Sequence, residues 1–292
     1  MNRRTSALAA LFLVNLLYGL NYVVAKGLMP RVIDPSGFIL LRVCGAGVLF
    51  WSVRIFRPER VAWSDAKRLV LCGISGVAVN QLMFFHGLAR TSPVHASIIM
   101  VATPILVLVL SGLLIGERIT RGKAMGVMSG AAGALILVLS GGQGGGGASL
   151  LGDFFILVNA SSYAVFLVMV KPLMSKYSAL TVMSWCFLVG SILVVPFGWQ
   201  GAAEVDWTGL AGLAFVVVMV TFAAYLMNTW ALRAVQPSLA GTFIYLQPVL
   251  AIGAAWFLLP GSLGLGWLQA LAAGAVFAGV WLVGRDDAPR AA

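Results

Sequence analysis

The chain has 292 residues, 61% of them hydrophobic and 10% charged, with a mean hydropathy of +0.99. A soluble domain is about one quarter charged, so an ordinary soluble fold is excluded, as are disorder, a coiled coil and collagen. A disulfide scaffold is excluded too, because the three cysteines, Cys44, Cys72 and Cys186, each sit inside an apolar run.

Apolar runs fall near 6–25, 36–53, 69–89, 94–115, 122–140, 150–170, 179–198, 208–232, 239–259 and 264–284. Each approaches the ~20 residues that a bilayer-spanning helix needs, and none alternates as a barrel strand would. The expected fold class is an all-α polytopic membrane protein with ten transmembrane helices. The first run follows two arginines, as a removed leader would. Asn15, Tyr18, Asn21 and Tyr22 interrupt it and no small-residue cleavage site closes it, so it reads as the first span.

The net charge of +10 is spread over short segments between these runs, which does not suit a nucleic-acid partner. With the N-terminus inside, the inner segments carry fifteen Lys and Arg residues and the outer ones three, Lys26, Arg31 and Arg90. That bias places both termini in the cytoplasm; the expected location is a plasma (inner) membrane. Arg42 falls within a span, about 10 Å from its outer end at 1.5 Å per residue. Its long side chain could snorkel to the interface. Alternatively it pairs with a carbonyl or polar group and closes an outer gate, or meets a leaving carboxylate.

The halves resemble each other at a spacing of 144: Leu88 matches Leu232, Pro93 matches Pro237, Ala96 matches Ala240 and Pro104 matches Pro248. At 145, Tyr18, Lys26, Leu28 and Met29 match Tyr163, Lys171, Leu173 and Met174. The sequence thus divides into five-helix repeats, 1–145 and 146–292, joined by the flexible stretch Gly141–Gly147. An odd number of helices per repeat makes their topologies inverted, the architecture of alternating-access carriers. Pro104 and Pro248 each delete a backbone bond four residues back, at Met100 and Ile244, and are candidate hinges. Gly122, Gly126 and Gly130, echoed by Gly266, Ala270, Gly274 and Ala278, form small-residue ridges for close helix packing within the chain or in a possible homodimer.

Polar side chains inside spans carry the functional information, because hydrocarbon makes them expensive. Asn15, Tyr18, Tyr22 and Lys26 share one face of the first span; Gly73, Gly76, Asn80, Phe84 and Gly87 share one of the third, with Gln81 at its edge. The eighth offers Thr221, Tyr225 and Asn228 with Trp230 nearby, and the ninth Tyr245 and Gln247 beside Pro248. Together they suit an apolar small molecule with a zwitterionic end. Helix–helix hydrogen bonding is the structural alternative. There is no catalytic constellation, metal-ligand spacing or nucleotide cradle, so no enzyme, metal or cofactor is expected.

The stretch His86-Gly-Leu-Ala-Arg-Thr-Ser-Pro-Val-His-Ala, Thr103-Pro104, Gly116-Glu117-Arg118 and the glycines at 122, 126 and 130 resemble the EamA module of the drug/metabolite transporter superfamily. The second half repeats it as Trp230-Ala-Leu-Arg-Ala-Val-Gln-Pro-Ser-Leu-Ala and Gln247-Pro248, with Gly261 where the first half has Glu117. The resemblance implies a ten-helix metabolite exporter, nearest the aromatic and neutral amino-acid branch. Drug or cation antiport would want a mid-span carboxylate, and sugar-phosphate or nucleotide-sugar exchange paired cavity cations; a channel or membrane enzyme is more remote. With no mid-span acid, transport is expected to be facilitated.

Overall fold

Hydrocarbon leaves a backbone nothing to bond but itself, so apolar runs of this length close into helices. In the computed structural model, which describes residues 3–29, 32–91, 93–140, 149–203, 207–250 and 267–287, they form eleven helices and the short helical stretch 246–250. The helices are α1 (Arg3–Leu28), α2 (Pro35–Ile55), α3 (Trp63–Leu88), α4 (Pro93–Met100), α5 (Ala102–Ile115), α6 (Arg121–Ser140), α7 (Leu150–Val170), α8 (Ala179–Ala203), α9 (Leu210–Ala231), α10 (Pro237–Thr242) and α11 (Trp267–Asp286). No strand occurs among the described residues, and seven helical stretches there are long and apolar enough to cross a bilayer. α1 and α11, of 26 and 20 residues, are two further long helices. The chain is a multi-pass helical membrane protein. The Gly141–Gly147 linker and the ninth run beyond Leu250 lie outside the described residues.

Local chemistry sets the helix ends. Asp34 accepts the Ser36 N–H at 2.8 Å and Pro35 occupies the first turn of α2, where its missing N–H is no loss. Ser149 caps α7 through Gly152 N at 3.3 Å. Gly116, with φ +68°, ends α5 in the left-handed region and turns the chain toward Glu117.

Two kinds of irregularity recur in both halves at nearly the same offset. The run expected at 94–115 is two helices broken at Val101, three residues before Pro104. Three residues before Pro248 the chain tightens into a 3₁₀ turn, Phe243–Tyr245. Each proline lacks the N–H that would hold the preceding turn, and the helix gives way there. α3 and α9 each widen into a π turn, at Ile74–Val79 and Val216–Ala223. Periodicity does not report either feature, since it registers which residues face inward and not how tightly the helix is wound.

Interior packing joins α2 to α8, α3 to α7 and α8, α1 to α9, and α6 to α11. The α6–α11 contact uses the expected small residues within one chain, in a different register. A Cβ at Gly126 would come within 2.7 Å of Gly279 O, and one at Gly279 within 2.5 Å of Gly126 O. Gly274, expected on this ridge, has nothing within 4 Å of such a Cβ. Spacing alone identifies a ridge; the partner helix decides which ridge turns inward.

One end of the bundle is held by ions. Arg4 donates to Gly284 O, placing the start of α1 beside the end of α11. Lys123 pairs with Glu117 at 2.6 Å and Asp287 at 3.6 Å, all three side chains no more than 5% exposed. Glu117 also accepts from the Ser238 hydroxyl and, at 3.4 Å, the Ser238 N–H. Asp287 accepts from Gln236 N at 3.4 Å. This latch ties α5, α6, α10 and the end of α11 together.

Burial holds the Asp287 carboxyl above its ordinary range, with Lys123 pulling the other way. The folded chain therefore keeps a proton that the unfolded chain has released. Stability should fall as pH rises through the window from the ordinary value, about 4, to the raised one. An Asp287→Asn protein should melt higher than wild type at pH 7 in detergent, with the difference shrinking toward pH 4. A lower melting point at pH 7 would show that the Lys123 pairing outweighs the burial.

Candidate functional site

The buried polar side chains of the spans meet at mid-helix. From α3, Gln81 Nε2 donates to Tyr225 Oη of α9 at 2.8 Å and to Asn80 Oδ1 at 3.0 Å. Tyr225 Oη donates in turn to Gly76 O at 3.3 Å, a carbonyl within the α3 π turn. Asn159 of α7 donates through Nδ2 to Asn80 O at 2.7 Å, and Asn228 Nδ2 donates to Tyr163 Oη of the same helix at 3.1 Å. Asn80, Gln81, Asn159, Tyr225 and Asn228 are all under 9% exposed.

The π turn of α9 serves this cluster directly. Thr221 donates its hydroxyl to Val216 O, five residues back, at 2.8 Å, and accepts Arg42 Nε at 2.7 Å. Arg42 is 6% exposed and lies over the Phe85 ring at 6.0 Å from its centroid. It does not run out to the interface. On the α3 side, Gly76 admits the Phe166 ring, which a Cβ would meet at 2.3 Å. Aromatic rings close the cluster: Phe187 stands edge-on to Tyr225 at 5.2 Å, and Phe84 edge-on to Phe85 at 5.1 Å.

A second polar group lies along α1. Asn15 donates to Leu11 O at 2.7 Å and accepts Gln247 Nε2 at 3.0 Å. Tyr245 donates to Val101 O at 3.1 Å, so the phenol from one helix interruption satisfies a carbonyl at the other. Two of these bonds join repeat mates: Gln81 and Tyr225, and Val101 and Tyr245, are each 144 residues apart.

Compared with known families, residues 5–139 match the EamA-like transporter family, and residues 150–285 match it a second time. The chain belongs to that family. As an EamA-like protein it is a membrane transporter of the drug/metabolite superfamily. It is similar to an uncharacterized transporter of Archaeoglobus fulgidus, 28% identical over 87% of this chain and 90% of the relative. A shorter similarity, 24% over 45% of this chain and 43% of the relative, links it to a probable terminal-alkyne amino-acid exporter of Streptantibioticus cattleyicolor. A solved crystal structure shares the fold with a TM-score of 0.81 over 97% of this chain and 98% of that one, at 18% identity.

The EamA fold gathers most of the side chains singled out from sequence, though not all. Arg42, Asn80, Gln81, Phe84 and Tyr225 converge, and Asn228 joins them through Tyr163. Tyr18 is partly buried, packs beside Val14, Leu17 and Ala224, and lies within electrostatic reach of Tyr163, Tyr225 and Arg42. Tyr22 is on α1, with its side chain outside the described residues. Trp230 stands 38% exposed, away from the cluster. Pro104 is buried in α5, and Pro248 lies in the helical stretch 246–250. Asn159, Tyr163, Phe85 and Phe187 were not singled out. Asn159 and Tyr163 are four apart in an apolar run, and Tyr163 is the repeat mate of Tyr18.

A buried hydrogen bond contributes about 1 kcal/mol net. A double-mutant cycle on Gln81→Leu and Tyr225→Phe, read from unfolding in mixed micelles, should give a coupling energy of about that size. Strict additivity would mean that the two side chains do not meet.

Proposed function

We propose that this transporter exports small neutral or zwitterionic metabolites, aromatic and hydrophobic amino acids first among them, by alternating access between two inverted five-helix repeats. The observation that carries the reading is the Gln81–Tyr225 bond. It joins the two halves at mid-helix through repeat mates, inside a cluster of tyrosines, amides and one arginine. A carrier's site belongs at such a junction, where a rocking motion of one half against the other exposes it to each side in turn. The paired interruptions at Val101 and at Phe243–Tyr245 supply flexible points in both halves.

Ten crossings with both ends inside agree with the charge bias and with the Arg4–Gly284 contact, which brings the first and last helices together at one end. The similarity to the Streptantibioticus cattleyicolor protein, a probable terminal-alkyne amino-acid exporter, supports the substrate class. The described acids Asp34, Glu59, Asp65, Glu117, Asp153, Asp286 and Asp287 all lie at helix ends or between helices rather than in the central cluster, which favours facilitated transport without an obligatory proton.

The test is counterflow in proteoliposomes with the proton gradient collapsed by an ionophore, using a panel of labelled aromatic and aliphatic amino acids beside sugar phosphates and organic cations. Accumulation of amino acids against unlabelled internal stock is the expected result. Exchange confined to sugar phosphates or cations would overturn the substrate class. Flux that vanishes with the gradient would overturn the facilitated mechanism.

A further inference from the structure

The central cluster holds charge and hydrogen-bonding capacity that the protein does not itself use. Arg42 is a buried cation with one neutral partner, the Thr221 hydroxyl, and an aromatic face, Phe85. The titratable groups that face it are the phenols Tyr18 and Tyr225, and no described carboxylate pairs with it. Asp34, at the start of α2, is about 12 Å away along the helix axis, and Glu117 and Asp287 are committed to Lys123. Taking an ion out of water costs several kcal/mol unless a counter-charge and further hydrogen bonds offset it. A hydroxyl and a ring do so only in part.

The same cluster carries the opposite deficit. Gln81 Oε1 and Asn159 Oδ1 are buried acceptors that receive no hydrogen bond. Their amide nitrogens are both spent on Asn80, Gln81 Nε2 on its side chain and Asn159 Nδ2 on its carbonyl. Gln81 is one helical turn below Phe85, the ring under Arg42, and its nitrogen touches Tyr225, the phenol facing Arg42. A cation lacking an anion thus shares one cluster with two acceptors lacking a donor.

We propose that these groups read the two ends of a zwitterion. Arg42 takes the carboxylate of an α-amino acid, and Gln81 Oε1 with Asn159 Oδ1 takes its ammonium. The substrate's side chain then lies among the rings of Phe84, Phe85 and Phe187. A planar guanidinium suits a carboxylate through two parallel N–H bonds. An amine without the acid leaves Arg42 unpaired, and an acid without the amine leaves the two carbonyls unpaired. A site built to bond a polar group rejects an analogue that lacks it, because its own buried groups then go without partners. The inference rests on the amino-acid reading above and adds which residues distinguish a zwitterion from its half-charged analogues.

The experiment compares three probes, L-phenylalanine, phenethylamine and 3-phenylpropionate, for exchange in proteoliposomes and for thermal stabilisation of the purified full-length protein. Wild type should prefer phenylalanine by roughly tenfold or more over both analogues. Arg42→Gln should erase the preference over phenethylamine and keep that over phenylpropionate. The Gln81→Leu, Asn159→Leu double variant should do the reverse. Arg42→Lys, which keeps the charge and guards against misfolding of the neutral variant, should retain part of the first preference. Discrimination unchanged in both neutral variants would overturn the proposal.

A second readout needs no transport. If Arg42 is an uncompensated cation in the free protein, Arg42→Met should raise the thermal midpoint without ligand; a lowered midpoint would mark a structural arginine and overturn the assignment. Wild type that exchanges none of the amino-acid panel, with the midpoint raised as expected, would instead reject the amino-acid function and leave the anion site standing.

Discussion

Everything irregular in this bundle answers one constraint: inside hydrocarbon a polar group finds a partner in the protein or has none. Gln81, Asn80, Tyr225 and Asn159 form a chain of hydrogen bonds, within α3 from Gln81 to Asn80 and across helices from Gln81 to Tyr225 and from Asn159 to Asn80. The cluster exists because α3, α7 and α9 all pass the same depth. That crossing in turn needs Gly76, which lets the Phe166 ring against α3. The Val101 carbonyl, at a helix break, is met by the Tyr245 phenol from the corresponding break in the other half. Satisfying the groups of one half with those of the other couples the halves at their helix interruptions.

One end of the bundle is built on paired charges. At the end where α1 and α11 meet, charges are paired, buried and tied across the halves through Glu117, Lys123, Ser238 and Asp287. Lys171 adds to this end by donating to Leu232 O and Val235 O at 2.6 and 2.7 Å, satisfying carbonyls that the end of α9 leaves open. Glu117 has no acidic mate in the second half, where Gly261 occupies the corresponding position. The latch is therefore asymmetric although the helices around it recur.

Much of this was legible in the sequence. Span positions follow from run length, and α2, α3, α7, α9 and α11 fall within a few residues of the apolar runs that announce them. The 144-residue offset reappears as the spacing of the broken helices and of the Gln81–Tyr225 pair. Arg42, Asn80, Gln81 and Tyr225 are visible as polar letters in apolar text. The interruptions at Val101 and Phe243–Tyr245 were marked by Pro104 and Pro248. The π turns were not legible, because a π turn changes no letter pattern and Thr221 does not announce one. Nor was the rotation of each helix about its axis. Trp230 turned outward and Gly274 away from the α6 seam because a neighbouring helix chooses the buried face. Asn159 and Tyr163 could have been found by applying to the sixth run the spacing rule used on the first, third and eighth.

The central claim is that the Arg42–Gln81–Tyr225 cluster is exposed alternately to the two sides of the membrane. The direct measurement is side-specific labelling of a single cysteine at Tyr225, with Cys44, Cys72 and Cys186 replaced, in sealed vesicles of both orientations. A membrane-impermeant thiol reagent should reach the Tyr225→Cys thiol from either face, at rates that an amino acid added to the same side changes. Labelling from one face only, whatever is added, would contradict the account.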